Sequence, residues 1–165
     1  MRLFGTVVAV GAAIAMSACG GEKAAPAADS AMAAPAMEAP AMAAPAAGAM
    51  APITGTTHEV KMVGDGTGYR FEPADITVKA GDGIKFVFVS GGPHNVAFDA
   101  ATIAPAAKTV LAANMPEQQG ELAGKMMLAA GESYTVSFAG MPAGTYDYYC
   151  TPHLAMGMKG KVTVQ

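Results

Sequence analysis

Ile84-Lys-Phe-Val-Phe-Val89, then Ser90-Gly-Gly-Pro93, then His94-Asn-Val-Ala-Phe98: an apolar run with one charge, a Gly/Pro break, and an apolar run that resumes behind a histidine. The first run is β-branched and aromatic and too short for a buried helix, and the break that follows is turn chemistry. The same reading extends in both directions. His58-Glu-Val-Lys-Met-Val63 alternates polar and apolar, Phe71-Glu-Pro73 makes a turn entry, and Ile76-Thr-Val-Lys79 alternates again before the turn Ala80-Gly81-Asp82-Gly83. Downstream, Gly131 to Phe138 alternates, Gly140-Met-Pro-Ala-Gly144 turns, Thr145 to Cys150 is an aromatic strand, and Gly160-Lys-Val-Thr-Val164 closes the chain. Short strands at this spacing, with Gly and Pro between them, predict an all-β Greek-key sandwich. Residues 99–128 are the exception: Ala101–Ala113 reads as one short helix, and the polar stretch around Glu117-Gln-Gln-Gly120 has no assignment.

The 165 residues divide by composition near residue 55. The second part, residues 56–165, has the size of one domain. Residues 20–55 are Ala, Pro, Gly and Met with almost no bulky apolar side chain, and Ala-Pro-Ala-Met recurs. Proline blocks a helix and nothing there could form a core, so this stretch predicts a disordered, semi-extended tether. Its methionines are soft copper donors in principle, but composition alone accounts for them. Ahead of the tether, Met1-Arg2 is followed by apolar Leu3 to Met16, shorter than the ~20 residues a membrane-spanning helix needs. Residues 1–18 read as a signal peptide. Ser17-Ala18-Cys19 resembles the lipobox of bacterial lipoproteins, although Met16 stands where leucine is commonest. The resemblance implies lipidation at Cys19, a linker over residues 19–55, and a periplasmic or cell-surface protein anchored to a membrane. A net charge of −3 without any Lys/Arg cluster excludes a nucleic-acid footprint.

Only two cysteines are present, Cys19 and Cys150. Lipidation would consume the first. The second is then a lone thiol in an oxidising compartment, a hazard unless something occupies it. It opens the segment Cys150-Thr-Pro-His153-Leu-Ala-Met156-Gly-Met158. Two imidazoles, one thiolate and a weak axial thioether form a donor set tolerable to both Cu(II) and Cu(I), so little has to move when an electron arrives. Three such donors can come from one tight loop, and a fourth must come from a neighbouring strand, for which His94 is the candidate. Singly, His94 could be a turn histidine, Cys150 a buried apolar cysteine and His153 a surface loop residue. In combination they point to a metal.

The chain resembles the plastocyanin-like cupredoxins, a family that includes pseudoazurin and amicyanin. The resemblance runs over roughly residues 58–165 through Phe71-Glu-Pro73, the turn Val78-Lys-Ala-Gly81, Pro93-His94-Asn95-Val96-Ala97-Phe98-Asp99, Ala130-Gly131-Glu132-Ser133, Gly144-Thr-Tyr146, Tyr149-Cys150-Thr-Pro-His153 and Gly157-Met158-Lys-Gly160-Lys-Val-Thr-Val164. It implies an eight-stranded Greek-key β-sandwich with one copper at one end, cycling between Cu(I) and Cu(II), and His94, Cys150, His153 and Met158 as ligands. Met158 is preferred to Met156 because it directly precedes Lys159-Gly160-Lys161, as the axial methionine precedes the family's last strand. Asn95 is implied to tie the two ligand loops together, and Tyr149 to lie on one electron route.

The implied activity is single-electron transfer between redox proteins, by a monomer whose partners dock on the uncharged surface near His153. The alternative is a copper carrier or delivery protein. Catalysis is not expected: a trinuclear oxidase centre needs many histidines and this chain has three, and a binuclear copper site needs a second loop cysteine where Leu154 stands. His58 reads as a surface residue of the first strand.

Overall fold

The computed structural model describes residues 49–165. Cys19, the apolar leader and most of the methionine-bearing linker lie outside the described residues. Eight strands are present: β1 (Thr57–Asp65), β2 (Gly68–Glu72), β3 (Asp75–Val78), β4 (Gly83–Phe88), β5 (Ala97–Phe98), β6 (Ser133–Ser137), β7 (Gly144–Tyr149) and β8 (Lys159–Val164). One α-helix among the described residues, α1 (Pro105–Ala113), stands between β5 and β6. The strands form two four-stranded sheets, ordered β2-β1-β4-β6 and β3-β8-β7-β5. The pairs β1/β4 and β3/β8 are parallel and the others antiparallel. This is the sandwich the strand pattern predicted, with the strand number implied by the family resemblance.

Alternation explains which faces meet. Val60 and Met62 of β1, Ile84, Phe86 and Phe88 of β4, and Tyr134 and Val136 of β6 are buried from one sheet. Tyr146 and Tyr148 of β7 and Val162 and Val164 of β8 are buried from the other. Lys61, Lys85, Asp147 and Lys161 take the outward positions between them. The centre of the core is aromatic: Tyr148 meets Phe71 at 4.7 Å, Phe86 at 5.5 Å and Phe98 at 5.9 Å between ring centroids. Its hydroxyl donates to the carbonyl of Ala74 at 2.8 Å, so the ring is buried without an orphaned polar atom.

Three local readings differ from the sequence expectation. Glu72 and Phe71, read as a turn entry, belong to β2, which pairs with β1 around the turn at Asp65–Gly68. The segment after Pro93 forms ladder structure only at Ala97–Phe98, while His94 makes an isolated bridge to Met127. The helix starts at Pro105 rather than Ala101, because proline suits a first helical turn, and it stops at Asn114. The Asn114 side chain donates to the Ala139 carbonyl at 2.8 Å and accepts from the Ala51 backbone N–H at 3.3 Å.

That last bond shows that residues just ahead of the composition break are held against the domain. Thr54 and Gly55 both donate to the Gly81 carbonyl at 3.0 Å. Asp82 accepts from Thr56 N–H at 2.8 Å, from Lys79 N–H at 2.9 Å and from His58 Nε2 at 2.9 Å. These donors hold the Asp82 carboxyl at about 2, the Lys79 amide first and His58 next. His58 is therefore not a free surface residue. This cluster sits where β1 and β4 begin. The opposite pole, where β4 and β7 end, carries His94 and Cys150.

Candidate metal centre

Cys150 follows the last residue of β7, and the loop behind it is bonded to itself. Cys150 N–H donates to the Met158 carbonyl at 3.1 Å, and His153 N–H to the Cys150 carbonyl at 3.1 Å. The His153 carbonyl accepts from Met156 and Met158 at 3.0 and 3.2 Å. A 3-10 turn over Leu154–Met156 ends at Gly157, whose φ of +84° is a left-handed conformation that a side chain disfavours. The reversal there sends Met158 back towards Cys150, and β8 starts one residue later.

His94 is fixed from another segment of the chain. It exchanges two backbone bonds with Met127, at 3.0 and 2.8 Å. Its Nε2 lies 2.8 Å from the Ser90 carbonyl. A carbonyl can only accept, so Nε2 carries the proton and Nδ1 keeps its lone pair. Asn95 joins this segment to the cysteine loop: its Oδ1 accepts from Thr151 N–H at 2.8 Å and its Nδ2 donates to Thr151 Oγ1 at 3.1 Å.

The result is a cluster of three donors. Cys150 Sγ lies 3.5 Å from His94 Nδ1 and 3.4 Å from His153 Nδ1, and the three atoms are all within 4.8 Å of one another. With bonds of about 2.0 Å to nitrogen and about 2.3 Å to thiolate sulfur, a trigonal ion separates N from S by about 3.7 Å. The donors are thus spaced for one ion with little movement, and their chemistry, two imidazoles and a thiolate, fits copper. All three residues are buried. Burial pushes both imidazoles below their ordinary value, towards the neutral form a metal needs, with the charge of His94 adding to the effect at His153. Burial also pushes the Cys150 thiol up, against the weaker pull of the backbone N–H groups of Asn95 and His153. An ion would reverse that balance by binding the thiolate and releasing the proton.

Met158 is fully buried, whereas Met156 is 57% exposed. Tyr149 is half-buried and pairs with Ala97. It lines a cleft on the side of the sandwich with Asp99, Asp147, Leu154 and Lys159. Two neighbours of the cluster went unread in the sequence. Phe88 meets the His94 ring edge-on at 4.8 Å, and Tyr69 stacks on the His153 ring at 3.7 Å. The spacing of Phe88, two residues after Phe86 on one face of β4, was the available signal for the first. Tyr69 lies on β2, whose five residues alternate too briefly to read as a strand.

Residues 58–165 match the family model of copper binding proteins of the plastocyanin/azurin family, and the chain belongs to that family. It is 39% identical over 110 residues to a plastocyanin of Nostoc punctiforme, covering 66% of this chain and 74% of the relative. A plastocyanin of Rumex obtusifolius is 39% identical over 107 residues, 65% of this chain and 99% of its own. Among solved structures, the oxidised form of plastocyanin from Dryopteris crassirhizoma superposes with a TM-score of 0.52 at 31% identity, covering 65% of this chain and 99% of that one. Copper is accordingly the cofactor, and the His94, Cys150 and His153 cluster is the candidate for its site.

Proposed function

We propose that the chain is a monomeric type 1 copper protein that carries single electrons between redox proteins outside the cytoplasm, and that His94, Cys150 and His153 would hold the copper with Met158 as a weaker fourth ligand. The observation that carries this reading is the buried cluster of one sulfur and two Nδ1 atoms, held by bonds that do not depend on the metal. Bound copper supplies a one-electron couple. The chain supplies the constancy: the Ser90 carbonyl fixes the His94 tautomer, Asn95 locks the two loops, and the self-bonded turn fixes His153 and Met158 relative to Cys150. A site that barely rearranges has a low barrier to gaining or losing an electron. Retention rather than delivery is favoured by the same burial, and a mutant plastocyanin of a fern, 32% identical and solved in oxidised and reduced forms, supports redox cycling.

The choice of Met158 as the fourth ligand rests on its full burial against the exposure of Met156. An amide oxygen favours Cu(II) over Cu(I) relative to a thioether. Met158→Gln is expected to retain copper and to lower the potential by on the order of 100 mV, roughly a fiftyfold change in relative affinity at about 59 mV per decade. Met156→Gln is expected to change it little. Spectroelectrochemical titration of both variants decides the point, and the opposite ranking would reject Met158 as the ligand.

We further propose that residues 1–18 direct export and that Cys19 carries the lipid, with a tether running from there to the junction at Ala51. The support is the apolar leader ending on Ser17-Ala18-Cys19. Two or more acyl chains anchor stably where one does not. Cys19→Ser is expected to move the protein from the membrane to the soluble fraction or to block its processing. A wild-type protein found soluble and without lipid by mass spectrometry would be incompatible with the anchor.

A further inference from the structure

Tyr69 of β2 lies flat on His153, with ring centroids 3.7 Å apart and planes 13° apart, and it meets His94 edge-on at 6.3 Å. Its seat is built from backbone. Gly64 pairs with Tyr69 across the β1/β2 hairpin. A Cβ at Gly64 would come within 2.7 Å of two Tyr69 ring carbons and 2.8 Å of the Gly91 Cα, so only hydrogen fits between the ring and these two chain segments. Gly64 N–H donates to the Ser90 carbonyl at 2.8 Å, and Ser90 Oγ donates back to the Gly64 carbonyl at 2.9 Å. That same Ser90 carbonyl orients His94. The hairpin bearing Tyr69 is thereby pinned to the segment that sets one histidine while its ring covers the other. His153 is left only 4% exposed.

We infer that Tyr69 is a positioning residue of the redox site: stacked on His153, it holds the imidazole against rotation and keeps water from that side of the centre, so it slows copper loss and raises the reduction potential. The direction follows from charge. With one thiolate, the oxidised centre carries one net positive charge and the reduced centre none. Water stabilises the charged form more, so excluding it favours reduction. The inference rests on His153 being a ligand.

The experiment uses the full chain with and without copper. In the metal-free protein, the His153 ring protons should be shifted upfield in the NMR spectrum by the Tyr69 ring current. The shift should persist in Tyr69→Phe and vanish in Tyr69→Ala. With copper, Tyr69→Ala should release the metal to a chelator roughly tenfold faster, the scale of losing an outer contact of a ligand. It should also have a lower potential, while Tyr69→Phe keeps both properties. If Tyr69→Ala does not fold, Tyr69→Leu fills the seat without a planar face, and it too should lose the ring-current shift and release copper faster. A folded alanine or leucine variant that matches wild type in copper release and potential overturns the inference alone, as does an unshifted His153 in wild type. Unchanged copper uptake in His153→Ala overturns the ligand assignment and the inference with it.

Discussion

Cys150→Ala is expected to abolish the intense visible absorption of the Cu(II)-loaded protein. Wild type should be blue or green and should bleach on reduction. The band belongs to charge transfer from a thiolate to Cu(II), and Cys150 is the only free cysteine among the described residues. Its sulfur is fully buried and stands 3.4–3.5 Å from both imidazole Nδ1 atoms, so no other sulfur anion among the described residues can substitute. Two imidazoles and a thioether remain in the variant. Affinity for Cu(II) should fall by more than the roughly 10–100-fold that the loss of an outer-shell partner costs. The fold should survive, because the change removes one small side chain at the end of β7 and leaves the aromatic core around Tyr148 intact. Absorbance and circular dichroism on the same sample separate the two effects. A visible band that persists in Cys150→Ala would overturn the cysteine as ligand.

The sandwich was legible where alternation was long enough to count. β1 and β6 alternate, β4 is an apolar run with one charge that buries Ile84, Phe86 and Phe88, and the aromatic strand β7 turns Tyr146 and Tyr148 to one face. The donor set was legible because three of its candidates lie within nine residues of one loop. What the sequence concealed was pairing. β2 is five residues long, with Arg70 and Glu72 engaged with each other at 2.6 Å on its outer side, so too few positions alternate to distinguish a strand from a turn. Missing that strand also hid Tyr69, whose importance comes only from lying over His153. Met127 was hidden for a similar reason. It supports His94 through backbone bonds, which any residue could make, from a segment with no ladder of its own. The His58–Asp82 pair was missed because its partners are 24 positions apart and belong to a turn that looked merely like a turn.

Leu128→Glu is expected to slow electron self-exchange between two copies of the protein by roughly tenfold or more, with the colour and potential unchanged. Four large apolar side chains are exposed among the described residues: Val89, Leu128, Leu154 and Met156. Each belongs to a segment at the metal end. Val89 follows β4 and leads to His94, Leu128 adjoins Met127, which pairs with His94, and the other two lie in the cysteine loop. A partner that covers such a surface gains from its desolvation and leaves easily, and electrons are expected to pass through the imidazole of His153, which shares a loop with Leu154 and Met156. The rival exit is Tyr149, in the side cleft with Asp99, Asp147 and Lys159. Leu154 borders that cleft as well, so a charge there touches both routes, whereas Leu128 belongs to the metal end only. An unpaired carboxylate in a dehydrated contact costs at least about 1.4 kcal/mol, which is tenfold. Two copies of the Leu128→Glu variant also repel each other through the added carboxylates, so raising the salt concentration should restore part of the rate. Tyr149→Leu should leave self-exchange nearly unchanged. Line broadening in NMR spectra of mixed oxidised and reduced samples measures all three rates, and a fast Leu128→Glu beside a slow Tyr149→Leu would move the exit to the side of the sandwich.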